Sequence, residues 1–118
     1  MRVSKLKVNT TLESQLQQTL YQLFTDLKSP QEVEIILKDL LSAVELTTVT
    51  KRLAVAYWLA NGRSYTNIKD NLKVSSASIS DIQQGLKKPG WKLALQKITA
   101  DQWATQWDQR IKKLIGKK

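Results

Sequence analysis

The stretch Tyr65–Gln84, YTNIKDNLKVSSASISDIQQ, narrows what this chain can fold into more than any other segment. Its apolar residues are Ile68, Leu72, Val74, Ile79 and Ile82. Ile68 and Leu72, four apart, share a face of one short helix, Ile79 and Ile82, three apart, share a face of the next, and Val74 falls in the turn between. Side chains so spaced form an internal wedge that sets the crossing angle of two helices. Ser75 is placed to cap the second of them. This is a helix-turn-helix pattern, in which the first helix braces the second and the second enters the DNA major groove by its N-terminal residues. A plain helical hairpin has the same periodicity, so the surrounding residues must separate the two.

On that docking the groove-facing set is Ser75, Ser76, Ala77, Ser80, Asp81 and Gln84. Serine hydroxyls bond phosphate or base edges, Ala77 can meet a thymine methyl, and Gln84 can pair with adenine. Asp81 repels phosphate, so it must accept from cytosine N4, orient a cation or stay clear of the duplex. Arg63, Tyr65, Lys69, Lys73, Lys87 and Lys88 surround the motif and suit the DNA backbone better than the bases.

Charge points the same way without settling it. The net charge is +9 over 118 residues, with +3 in residues 1–7, −4 in 8–45, +3 in 46–86 and +7 in 87–118. Such a field favours a polyanion, whether duplex DNA, RNA or an anionic membrane. The chain has no cysteine and no histidine, which excludes disulfides, thiolate or imidazole zinc sites and histidine acid-base catalysis. Its carboxylates form no cluster that suggests a metal or an acid-base pair, and Glu34 with Lys38 reads as a surface helix pair. The expectation is no enzyme activity and no cofactor. No apolar run is long enough to span a bilayer and MRVSKLKVNTT has no secretory apolar core, so the expected location is cytoplasmic, with no membrane partner.

The remaining segments read as helices, and the expected class is all-α. Leu12, Leu16, Leu20, Leu23 and Leu27 recur at helical spacing, with Tyr21 and Phe24 widening the stripe. A face that wide needs the rest of the chain or a second copy to cover it. Ser29, Pro30 and Glu32 supply an N-cap, a first-turn proline and a capping-box acid for a helix carrying Val33, Ile36, Leu37, Leu40 and Leu41 inward. Ser42 and Glu45 repeat the box, predicting a helix from Ala43 to about Asn61 with Leu46, Val49, Leu53, Ala56, Tyr57 and Ala60 in the core. Trp58 is expected to be interfacial or partly buried. Lys87-Lys88-Pro89-Gly90 reads as a breaker and Trp91, Leu93, Leu95 and Ile98 as an apolar link. A last helix, about Thr99 to Ile115, places Trp103, Trp107, Ile111 and Leu114 on one stripe. The basic ending RIKKLIGKK suits a solvated face or non-specific phosphate contacts.

Leu40–Leu59, LLSAVELTTVTKRLAVAYWL, followed by GRSYTNI and VSSASISDIQQGLKKPG, resembles the Trp repressor-like superfamily, closest to its YerC/YecD branch. The resemblance covers residues 32–90. Its most specific residues are Leu40-Leu41, Arg52, Gly62-x-Ser64-Tyr65-x-x-Ile68 and Val74-Ser75-x-Ala77-x-Ile79-Ser80. It implies an intertwined homodimer with an N-terminal helical interface that binds operator DNA and represses transcription. The expected organisation is an N-terminal arm and dimerisation helix at 1–28, the helix-turn-helix domain at 29–90 and a basic helical extension at 91–118, the last outside the resemblance. In the family's tryptophan site one arginine matches Arg52, while the second, on the recognition helix, falls at Asp81. The reversed charge argues against tryptophan as corepressor and leaves Arg52 to an ion pair, a phosphate or another ligand. The alternative function is a helical protein-protein adaptor or a non-specific nucleic-acid-binding structural protein.

Overall fold

The computed structural model describes residues 6–100 and 109–113, apart from the side chain of Ala100. Among these, helices are the only regular elements: α1 (Thr10–Thr25), α2 (Pro30–Leu40), α3 (Ala43–Ala60), α4 (Tyr65–Leu72), α5 (Ser76–Gly85) and α6 (Pro89–Ala100). Residues 109–113 are also helical. The chain divides into two compact units, Met1–Ala43 and Val44–Lys118.

In the first unit, local capping accounts for both helices. Asn9 Oδ1 accepts from the backbone N–H of Thr11 at 2.8 Å and of Leu12 at 3.3 Å, which starts α1 two residues before the leucine stripe. Ser29 Oγ accepts from the N–H of Glu32 at 3.2 Å, and the Glu32 carboxylate reaches back to the N–H of Lys28 at 2.7 Å. Together with Pro30 at the first helical position, this satisfies donors that the first turn of α2 would otherwise leave open. Neither helix contains a buried residue. Val33, Ile36, Leu37 and Leu41 are half-buried as expected of an inner face, but Leu40 is exposed. Lys38 and Glu34 form the expected surface pair at 2.7 Å, and the partner ammonium holds the Glu34 carboxyl below its ordinary pKa.

The second unit has the core. Val55, Ala56, Tyr57 and Trp58 of α3 pack with Ile68 of α4 and with Ile79 and Ile82 of α5. Leu72, Val74, Leu86, Trp91, Leu95, Ile98 and Ile111 close around them, partly buried. The core face expected for α3 needs correction: Val49 and Ala60 are exposed, Leu46 and Leu53 half-buried, while Ala54 through Trp58 are buried without interruption. A single stripe presumes a helix packed on one side, and here the last two turns are covered from several. Trp58, expected at an interface or partly buried, is 1% exposed. The threonine-rich part of α3 stays helical, with Thr48 and Thr50 donating to the carbonyls of Val44 and Thr47, both at 2.9 Å.

The termini around α4 follow glycine and serine chemistry. Gly62, at φ 81°, ends α3: its N–H donates to Leu59 O at 3.0 Å and that of Arg63 to Trp58 O at 3.1 Å. These two bonds make a Schellman motif, whose left-handed residue glycine adopts without Cβ strain. Ser64 then caps α4 through the N–H of Asn67 at 3.1 Å. The segment read as a breaker does separate α5 from α6, but Pro89 is also the first residue of α6, where its missing N–H costs nothing, and the segment read as a link is helical. Trp91, Leu95 and Ile98 lie on the inner side of α6, whereas Leu93 is 54% exposed. Of the expected last helix, Ile111 packs against the core, and Trp103, Trp107 and Leu114 lie outside the described residues.

Candidate nucleic-acid interface

The five residues read as a wedge do meet. Ile68 and Ile79 are fully buried, Ile82 is 3% exposed, and Leu72 and Val74 pack against them at the crossing of α4 and α5. The turn is three residues long, and Lys73 makes it in the left-handed conformation, φ 55°, ψ 52°, with its N–H bonded to Lys69 O. Ser75 ends the turn and caps α5, accepting from the N–H of Ser78 at 3.1 Å and donating to Ser78 Oγ at 3.0 Å.

With its inner side fixed, α5 turns the expected reading residues outward. Ser75, Ser76, Ala77, Asp81 and Gln84 are exposed and Ser80 is half-buried. The Ser75 hydroxyl is committed to the cap on both its donor and acceptor sides, so Ser76, Ala77, Asp81 and Gln84 form the open part of the face. Each is small or polar, which lets the helix backbone approach a base edge closely.

The cations divide into two groups. Lys69, Lys73, Lys87 and Lys88 are exposed beside α4, the turn and the end of α5, as is Tyr65. Arg63 is drawn inward: its guanidinium carbon lies 4.4 Å from the Trp58 ring centroid and Nη1 donates to Asn67 Oδ1 at 3.1 Å. A cation over the indole face and a bond to the next helix make Arg63 a brace between the end of α3 and α4. Trp58 Nε1 is buried with no hydrogen-bond partner among the described residues, so the indole contributes here by its faces and edges.

Arg52 stands between two clefts. One, of about 300 Å³, is lined by Lys51, Arg52, Lys73, Ser75 and Ser78 over Val55 and Val74. The other, of about 260 Å³, is lined by Arg52, Asp81, Gln84, Gly85, Lys88 and Trp91. Ile82 lies on the border of both. The anticipated ion pair of Arg52 is not made among the described residues. Trp91 anchors α6 by packing against the core, with its Cδ1 3.8 Å from where a Cβ on Gly85 would stand, an ordinary contact distance.

Lys51 is the neighbour that sequence reading missed. Its ammonium reaches from α3 to the carbonyl of Lys73 at 3.4 Å, across 22 positions of chain. No periodicity marks such a contact, since it depends on how α3 lies against the turn.

Among the described residues no group of His, Cys, Asp or Glu could hold a metal ion, and no helix is long and apolar enough to cross a membrane. The sequence matches the family model described as Trp repressor protein over residues 14–99, which extends the resemblance beyond 32–90 to take in most of α1 and of α6. No curated protein and no solved structure matches the chain.

Proposed function

Since this chain belongs to the Trp repressor family of helix-turn-helix DNA-binding regulators, we propose that it binds operator DNA sequence-specifically as a homodimer and represses transcription from it. The observation that carries this reading is the outward face of α5, Ser76, Ala77, Asp81 and Gln84, set on a wedge whose three isoleucines are buried and flanked by exposed lysines. Rigid positioning of small and polar side chains is what direct readout needs, and lysines on either side hold the phosphate backbones. One recognition helix covers too little DNA for tight specific binding, so two copies reading two half-sites suit the geometry better. The exposed leucines of α1 are the natural contact between copies.

Tryptophan does not serve as corepressor on this reading. Asp81 lines the same cleft as Arg52, where it would face a ligand carboxylate with a like charge, and Ile82 occupies the ground between the two clefts. A free-standing operator-binding state follows, with no requirement for an indole. The departure at Asp81 also implies an operator preference different from that of the YerC/YecD branch.

Titration of the full chain against duplexes at two salt concentrations, with selection of bound sequences from a random pool, tests the function. Enrichment of a two-fold-symmetric site is the expected result. Salt-dependent binding with no preferred site would reduce the function to non-specific binding, and no binding at low salt would return the chain to a protein-protein role. Gln84→Ala is expected to change preference at one base pair per half-site, whereas Lys88→Gln weakens every site alike. Identical behaviour of the two variants would remove α5 from the groove.

A further inference from the structure

The turn between α4 and α5 contains a residue that its geometry alone would not select. Lys73 is the one non-glycine residue with positive φ among the described residues, at 55°. That conformation crowds a Cβ against the neighbouring carbonyl, a strain glycine escapes. At the end of α3 the chain meets the same demand with Gly62. A lysine at the second such position therefore needs a reason beyond the turn.

The surroundings supply one. Lys51 and Arg52 of α3 line the same cleft as Lys73, and no carboxylate lines it with them. The Lys51 ammonium has only a long contact, 3.4 Å, to the Lys73 carbonyl, which leaves most of its donor capacity unused. Arg52 is exposed and makes no ion pair among the described residues. Three like charges gathered around one opening of about 300 Å³ repel one another, and an anion seated there relieves the repulsion. Ser76 and Ala77 begin the outward face of α5 next to this opening, so an anion in the cleft lies beside whatever the helix reads. In duplex DNA that anion is a backbone phosphodiester.

We propose that Lys51, Arg52 and Lys73 form a seat for one phosphate of the DNA backbone, and that Lys73 carries its strained conformation for the sake of its charge. The seat rests on the DNA-binding reading above and adds to it a phosphate contact from α3, outside the helix-turn-helix. It also makes the turn a place where binding and fold stability oppose each other.

The test measures binding of the full chain to a random-sequence duplex as a function of salt, together with Tm, for the wild type, Lys51→Gln, Lys73→Gln and Lys73→Gly. Each variant is expected to lower the slope of log K against log salt by about one and to weaken binding roughly tenfold near 0.1 M salt. Lys73→Gly should at the same time raise Tm by about 2–5 °C, while Lys73→Gln leaves it unchanged. Wild-type binding with slopes equal in all four proteins would overturn the seat and leave DNA binding standing. Failure of the wild type to bind at low salt would instead remove the reading on which the seat rests. A lower Tm for Lys73→Gly would refute the strain argument. Stabilisation of the wild type, but not of Lys51→Gln, by millimolar inorganic phosphate, with duplex slopes unchanged, would assign the cleft to a free anion and overturn the DNA seat.

Discussion

The two units of this chain solve the same problem to different degrees. Both are built of capped amphipathic helices, yet the unit from Val44 onward encloses Val55, Trp58, Ile68 and Ile79 at 1% exposure or less, whereas α1 and α2 enclose nothing. Leu16 and Tyr21 of α1 remain 55% and 54% exposed. The difference teaches what each is for. A unit that reads DNA must hold its recognition helix rigidly, which burial of Ile68, Ile79 and Ile82 provides. A pair of helices that keeps its apolar stripe uncovered has surface left for another chain, and the proposed homodimer would use it.

The largest expected effect attacks the finished unit. Ile68→Ala removes a fully buried side chain shared by α3, α4 and α5 and should cost about 2–5 kcal/mol, read by urea unfolding. A loss near zero would mean that the wedge is not the core that positions α5. Next comes the open unit: the double variant Leu16→Glu, Leu20→Glu should weaken self-association at least about 100-fold in sedimentation, by placing charge where apolar area is to be buried. An unchanged dimer would move the interface elsewhere, and a monomeric wild type would dissolve this side of the comparison.

Smaller effects sharpen the contrast. Arg63→Ala removes the cation over Trp58 and the bond to Asn67, and a destabilisation of about 1–2 kcal/mol is expected. A DNA-binding loss with stability intact would return Arg63 to the phosphate-contacting set. Smallest is Glu34→Gln, which breaks an exposed pair and should leave Tm at neutral pH unchanged within error. The sign of its pH dependence is still defined. The folded-state pKa of Glu34 is lowered, so whatever the pair contributes is present above the ordinary carboxylate value of 4.5 and disappears as acid protonates the group. A clear neutral-pH drop in Tm would show that α2 depends on its surface charges more than exposure allows.

Much of the second unit was legible in residue order because its signals are local. The spacing of Ile68, Leu72, Val74, Ile79 and Ile82 and the serine at 75 mark helix faces and a helix start through contacts between near neighbours. The Pro89 reading caught half of a local signal: proline separates the helix before it, α5, and also starts the one after it, α6. What stayed hidden depends on three helices meeting. The unbroken burial of Ala54 through Trp58, the reach of Lys51 to Lys73 O and the stacking of Arg63 on Trp58 have no periodic trace.

By itself, then, the sequence determined the helical class, the wedge, the caps and the residues able to face a groove, since periodicity and capping act over three or four positions. Only the tertiary structure decided which of those side chains are still available. It committed the Ser75 hydroxyl to its cap, drew Arg63 onto an indole and brought Lys51, Arg52 and Lys73 around one cleft. Those outcomes depend on distances between segments far apart in the chain, which packing of the buried core sets and residue order does not record.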